Sequence, residues 1–293
     1  MNTYAAVVVL YQPSDQVYEN MQTYMEEVSC VYVLDNSTKP NVNLIDKIKS
    51  QPKCRYFSMN GNIGLAAALN KGCKIAKEEQ YDFILTMDQD SYFREGSVAK
   101  MIAFLENEET DSIAIVAPNV TAIYPDPQTG ERKKAYVLQK EKGIYEQTWV
   151  MTSGSMMRLS FFEEVGGFDE TFFIAHIDVD LGIRFCLKGY KTFMVGDAMI
   201  YQRFGNSLPK KILWKTVYPW YEAPVRTYYL FRNHTYMLHK YGKRIKKKVH
   251  VSLLNHIVKI ILFEDKKCKK LVMAWRGWRD GIHGRMGKYE AEK

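Results

Sequence analysis

The chain has 293 residues and a mass of 34.1 kDa, with 46% hydrophobic, 25% charged and 13% aromatic residues. This composition excludes a disordered tail protein and a disulfide-stapled mini-domain, and the length accommodates two domains or one large domain with an appendage. The net charge of +8 would suit a polyanionic partner, but from Lys240 onward 16 Lys and Arg face 5 Asp and Glu, whereas residues 1–239 carry 25 against 28. A slightly acidic body with a strongly basic tail removes most of the support for a nucleic-acid-binding protein.

Cys30, Cys54, Cys73, Cys186 and Cys268 are scattered, with no ligand spacing, as expected in a reducing cytosol. The start of the chain lacks the basic and apolar regions of a signal peptide. No stretch reaches the roughly 18 apolar residues of a spanning helix. A cytoplasmic protein is expected.

In chain order, apolar β-branched runs fall at 5–11, 30–35, 54–57, 81–88 and 112–118, with helix-like stretches between them near 15–26, 42–50, 64–79 and 95–107. Strands alternating with helices predict α/β units on a mostly parallel sheet, with ligands beyond the carboxyl ends of the strands. Asp35 and Asp88 each close such a run. Residues 119–150 carry several turn signals and read as an irregular excursion. Order resumes with a short strand after 151, a helical turn at 160–165, a helix near 178–188, and strands at 191–195 and 198–204. A Tyr-rich helix over 220–241 and helices over 246–263 and 265–279 complete the reading.

Three segments carry chemistry. Asp88-Gln89-Asp90 follows an apolar strand. In extended geometry its two carboxylates share one side of the chain and can grip a hard divalent ion that completes its shell with substrate phosphates; an isolated Asp-x-Asp can equally be a cap and a solvated acid. Asn60 to Gly72 joins a strand to a helix, with Gly61 and Gly64 permitting tight geometry, Asn62 able to cap, and Ala66–Ala68 letting the helix approach the sheet. Gly166 to Tyr190 contains Asp178 at a helix start, where it can cap or act as a base. In the same segment Asp180 and Arg184 have ion-pair spacing, and His176 reads as a packed residue.

Together, VVVLY (7–11), VYVLDNS (31–37), NGNIGLAAALNKG (60–72), FILTMDQDS (83–91), TSGSMMRLSFFEEVGGFDE (152–170) and DVDLGIRFCLKGYK (178–191) resemble a family 2 glycosyltransferase of the GT-A fold, in the family's order, over about residues 5–205. The resemblance implies a GT-A catalytic domain over 1–210 and a basic helical extension over 211–293. It implies inverting transfer of a sugar from a nucleotide sugar to an acceptor hydroxyl. By residue, it places Asp35, Asn62, Gly64 and Asp88 at the donor, Asp88 and Asp90 on Mg²⁺ or Mn²⁺, Gly154 and Ser155 on the floor of the donor or acceptor pocket, and Asp178 as general base. His176, Asp180 and Gln202 would line the same acceptor or donor pocket. Two positions depart from the family pattern. Ile177 stands where a glutamate precedes the base, and Gln202 replaces a late histidine, as a hydrogen-bond donor without comparable metal affinity.

The Asp-Gln-Asp-Ser version and the chain length look most like the bacterial rhamnosyltransferase branch, implying dTDP-L-rhamnose as donor and a surface polysaccharide as product. Galactosyl, glucosyl and galactofuranosyl transfer use the same scaffold. A non-catalytic sugar-nucleotide or glycan-binding module is the alternative of a different class. The acceptor implied is a glycan or polyprenyl-linked glycan.

The basic run 240–248 and the amphipathic 249–263 that follows suit the surface of an anionic membrane, within a 240–270 region, or packing on the body or in a homodimer. A peripheral position on the inner face of the cell membrane is the corresponding expectation.

Overall fold

The computed structural model describes residues 2–107, 111–212, 215–242 and 253–290. Strands β1 (Tyr4–Leu10), β2 (Cys30–Asp35), β3 (Cys54–Ser58) and β4 (Phe83–Asp88) form a parallel block in the order β3-β2-β1-β4. Helices α1 (Gln16–Met25), α2 (Val42–Lys49) and α3 (Leu65–Glu78) connect them. Every residue of β1 is buried, because helices cover both faces of the strand. Ala5, Val7 and Val9 pack in the core under α3, while Tyr4, Ala6, Val8 and Leu10 pack in the opposite core under α1 and α2.

The second half of the sheet is mixed. β5 (Tyr92–Phe93) precedes α4 (Ser97–Asn107), and β6 (Ile113–Pro125) runs well past the expected stop near Pro118. The segment read as an irregular excursion therefore contains the end of β6, then β7 (Arg132–Val137), paired on β6, and β8 (Ile144–Gln147). β9 (Ser155–Arg158) inserts antiparallel between β4 and β6. α5 (Leu159–Glu164) and α6 (Ile177–Leu187) follow. The two short strands expected at 191–195 and 198–204 are one strand, β10 (Lys191–Arg203), with a register shift between Val195 and Met199 where Gly196-Asp197 interrupt the apolar run. Bulges of this kind bend a strand without ending it.

The hairpin β11 (Lys210–Ile212) and β12 (Lys215–Val217) leads to α7 (Pro224–Tyr241), α8 (Leu253–Phe263) and α9 (Lys267–Ile282). Pro224 opens α7 in place of the expected start at 220, as its fixed φ and missing N–H favour a first helical position. The expectation for 246–252 lies outside the described residues. Among the described residues, no helix is long and apolar enough to cross a membrane.

Close approach of α3 to the sheet rests on Gly72, where a Cβ would stand 2.4 Å from Val7 Cγ2. Alanine is the better helix former by about 1 kcal/mol, yet β-branched Val7 is stiff and enclosed in the core. Gly72→Ala is expected to destabilise the protein, by about 1–3 kcal/mol, and urea or thermal unfolding measures it.

Candidate active site

The parallel register sets Leu10 beside Asp35 and Val9 beside Asp88, so both acids reach the carboxyl end of the sheet on either side of β1. Asp35 is almost fully buried, with one oxygen accepting the Ser37 N–H at 2.8 Å and the other the Tyr56 hydroxyl at 2.9 Å. Burial, together with that bond to Asp35, pushes the Tyr56 phenol up to about 12. Gly64, with φ +97°, is the N-cap of α3 and lies under the Phe173 ring, which a Cβ would strike at 2.7 Å. Asn62 does not cap the helix as expected: its Oδ1 accepts the N–H of Gly64 itself at 3.0 Å, closing the turn before the helix.

Asp88 is tied down from three sides. Its N–H donates to Ser153 Oγ at 3.2 Å, its carbonyl accepts the Ser91 N–H at 3.3 Å, and its Oδ2 accepts from Gln202 Nε2 at 2.9 Å. Gln89, between the two acids, turns away to the Tyr11 backbone, accepting its N–H at 2.9 Å and donating to its carbonyl at 3.1 Å. Asp90 stays open to solvent. Enclosure by protein, then the charges of Asp90 and Asp178, push the Asp88 carboxyl up to about 7, against the opposing pull of Arg226. Arg226, Arg203 and Arg132 also act on Asp90 as favourable charges.

The pocket floor differs in detail from the expectation. Gly154, with φ +82°, is wedged against Ile200 and Pro118, and its N–H donates to the Thr86 carbonyl at 2.7 Å. The Ser155 hydroxyl is buried on the Met151 carbonyl, so the hydroxyl at Asp88 is that of Ser153.

Asp178 stands in the first turn of α6, with Oδ1 accepting the Val179 N–H at 2.9 Å, and enclosure pushes its carboxyl up to about 6. The loop before it holds Phe173, Ala175 and His176 at φ 63°, 67° and 60°. Such left-handed conformations cost about 1–3 kcal/mol each in non-glycine residues. Two buried residues of α7 hold the loop. Asn233 Nδ2 donates to the carbonyls of Phe172, Ile174 and Ala175 at 3.2, 2.8 and 2.8 Å, and Arg232 donates to those of Thr171, Phe172 and Gly287. His176 is packed, as expected: its ring lies 5.5 Å from that of His234, and enclosure with the nearby His234 and His256 pushes its pKa down to about 3. Ile177 is a core residue.

Asp180 is fully buried and accepts from Arg184 at 2.8 Å, Lys240 at 3.0 Å and the Tyr241 hydroxyl. The expected ion pair with Arg184 is present. Lys240, however, is not a free charge of the basic tail: it also bonds Asp169 at 3.1 Å, so it fastens α7 to α6.

Sequence reasoning missed Ser153, Arg226, Arg232 and Asn233. A signal existed for the first two, a hydroxyl beside an already suspect glycine and an arginine just after a helix-opening proline. Nothing in the periodicity marks Arg232 and Asn233 as inward-facing.

The residues fit a divalent cation. Asp88 and Asp90 repel each other, and Gln202 Oε1 is buried with no hydrogen-bond partner while its Nε2 holds Asp88. An amide oxygen can serve as a ligand for a hard cation. Among the described residues, no group of three or more His, Cys, Asp or Glu is placed to hold one metal ion between them. Mg²⁺ commonly takes one or two carboxylates and completes its shell with substrate phosphates and water.

A mixed sheet of this topology, with acids at the carboxyl ends of its parallel strands and a helical extension, is the GT-A class of nucleotide-sugar transferase. The chain belongs to glycosyl transferase family 2, whose profile matches residues 12–178, more than half of its length. It is 27% identical over 290 residues, 96% of each chain, to the dTDP-rhamnosyl transferase RfbF of Shigella flexneri. Among solved structures it is similar to S. aureus TarS 1–349 in complex with UDP-GlcNAc, at 14% identity and a TM-score of 0.57, covering 97% of this chain and 82% of that one. It is also similar to GalNAc-T7 with UDP, GalNAc and Mn²⁺, at 14% identity and a TM-score of 0.55, covering 69% of this chain and 43% of that one. At these identities the two structures speak to the fold alone. Family membership makes the chain a nucleotide-sugar-dependent glycosyltransferase.

The raised Asp88 pKa has a stability consequence. Between about 4 and 7 the folded state holds a proton that the unfolded chain releases, so wild-type stability falls as pH rises through that window. Asp88→Asn keeps an acceptor for Gln202 and removes the repulsion. Without added metal, its melting temperature at pH 8 is expected to exceed wild type by about 2–4 °C, the gap closing below pH 4, as thermal melts across pH would read.

Proposed function

We propose that the protein transfers L-rhamnose, with inversion, from dTDP-rhamnose to a hydroxyl of a glycan or polyprenyl-linked glycan in surface polysaccharide synthesis. The observation that carries the transferase reading is the placement of Asp90 and Asp178, on separate elements, near enough to Asp88 for the charge of each to act on it. Support for rhamnose is the 27% identity to RfbF along nearly the whole of both chains. Galactosyl or glucosyl transfer on the same scaffold is the second reading.

In this reading Asp178 takes the proton from the acceptor hydroxyl, whose oxygen attacks the anomeric carbon as the bond to the diphosphate breaks and the nucleoside diphosphate leaves. Asp35, Asn62 and Gly64 bound the nucleotide. Asp88 and Asp90, with the Gln202 amide oxygen, would hold Mg²⁺ or Mn²⁺. A bound cation there supplies neutralisation of charge on the leaving diphosphate. Arg226 adds a second positive charge on the same side. It is ion-paired with Glu222 at 3.4 Å and half exposed, so a diphosphate can compete for it. The catalytic domain is taken as 1–210 and the basic helical extension as 211–293, with the extension contributing Arg226 and the clamp on the loop before the base.

The deciding experiment is a screen of dTDP-rhamnose, UDP-galactose, UDP-glucose and UDP-GlcNAc for metal-dependent donor hydrolysis and for protection against thermal unfolding. Selective turnover of dTDP-rhamnose supports the assignment, and selective turnover of a UDP-hexose replaces it. Exhaustive chelation is expected to abolish turnover and added Mg²⁺ or Mn²⁺ to restore it; undiminished rates after chelation exclude the metal site.

For Asp178, turnover by wild type should fall about tenfold per pH unit below about 6, where the carboxylate takes up its proton. Asp178→Asn should lose about 10²–10⁴-fold in turnover with donor affinity retained. Full turnover in that variant would remove Asp178 from the role of base.

A further inference from the structure

The inward and outward sides of the last two helices carry unlike chemistry. On α8, His256, Ile260 and Phe263 line a cavity of about 320 Å³ together with Tyr218, Trp220 and Lys270. The helical repeat puts Leu254, Val258, Ile261 and Leu262 on the opposite side, and these are 44–68% exposed. On α9, Gly277 and Gly281 lie against the α7 backbone, where a Cβ would stand 2.3 Å from the Tyr228 carbonyl oxygen and 2.5 Å from that of Arg232. The outward side of α9 carries Val272, Trp275, Trp278 and Ile282, of which the two tryptophans are 56% and 46% exposed. Scattered exposed hydrophobes are ordinary, but outward apolar faces on two successive helices mark an interaction surface.

We infer that the outward faces of α8 and α9 seat the protein on an anionic lipid bilayer, with Trp275 and Trp278 at the depth of the headgroups. Charge decides the occupant. Lys266, Lys267 and Lys269, between the two faces, are exposed, while the neighbouring acids Glu264 and Asp265 share the buried Lys270 at 2.7 and 2.6 Å, so residues 264–270 keep a net charge of +2. The sequence just before α8 adds Lys243, Arg244, Lys246, Lys247 and Lys248. A symmetric dimer through these faces would repeat the same patch on both copies and set one basic rim against the other. An anionic surface neutralises the rim, and amphipathic tryptophans suit the boundary between lipid and water.

The surface differs from the one expected from sequence. It extends to 282, beyond the 240–270 region, and it excludes Lys240, which is bonded to Asp169 and Asp180. Because α9 rests on α7 beside Arg232, the bilayer contact is two packing steps from the loop that carries Asp178.

The test is vesicle co-sedimentation of the full chain, a measurement independent of sugar transfer. Binding to phosphatidylcholine vesicles containing phosphatidylglycerol is expected to exceed binding to phosphatidylcholine alone, to weaken with salt, and to shift tryptophan emission to the blue. Trp275→Ala/Trp278→Ala and, separately, Lys266→Glu/Lys267→Glu/Lys269→Glu should each weaken binding at least about tenfold with unchanged melting temperature. The charge variant carries the test should the tryptophan variant fail to fold. Binding that both variants retain, absence of binding by wild type, or a vesicle-free dimer that the tryptophan variant dissociates would overturn the inference.

Discussion

The site depends on holding like charges together. Asp90 and Asp178 both repel the charge of Asp88, which is enclosed enough that its carboxyl gives up its proton only near neutrality. Left to itself, that arrangement favours unfolding or protonation. The fold answers with fixed partial charges and nearby full ones. Asp88 is bonded by Gln202, while Arg132, Arg203 and Arg226 offset Asp90. Gln89 turns its amide on Tyr11 and so binds the carboxylate turn to the end of β1, the adjacent strand. A cation bound at such a cluster would relieve the repulsion that the free protein carries.

The second constraint is the strained loop before Asp178. Three consecutive or near-consecutive residues in the left-handed region represent several kcal/mol of local backbone cost. Six side-chain bonds from Arg232 and Asn233 meet carbonyls of this loop and of Gly287, each with a net value of about 1 kcal/mol, rather more for the charged donor. The two quantities are of similar size, which is why the loop can persist in an unfavourable shape. Removing either donor would also strand buried carbonyls, so the loop and α7 form one cooperative unit. The helix following the sheet is thus part of the apparatus that places Asp178, not a separate appendage resting beside it.

The parallel block was legible because burial on both faces writes continuous apolar runs, and the acids that end those runs at Asp35 and Asp88 fall at the carboxyl edge by topology alone. Local pairs were legible too: Asp180 and Arg184 follow from helical spacing. Mixed pairing was not. Pro118 reads as a stop, but the strand continues through it: Pro118 stays opposite Val195 of β10, while the pairing with β9 ends at Val116 and the register on β10 slips directly after Pro118, so the proline falls at an irregularity of the ladder. The roles of Arg232 and Asn233 were hidden for another reason. A polar side chain that is satisfied by backbone carbonyls sixty residues away leaves no periodic trace, and only the assembled fold pairs donor with acceptor.

Charge in the tail sorts into two uses once the contacts are known. Lys240 and Lys270 are drawn inward to carboxylates, Asp169 and Asp180 for the first, Glu264 and Asp265 for the second, and act as fasteners within the extension and between α7 and α6. The basic residues that remain outward flank apolar faces instead of covering them. An extension built only to prop the catalytic loop would need the first kind and would gain nothing from exposed tryptophans. Glycines at 277 and 281 give the reason both uses share one element, since they bring α9 into backbone contact with α7 and make the outward face rigid with respect to the loop before Asp178. Whatever meets that face therefore meets a body whose orientation toward the carboxylate site is fixed.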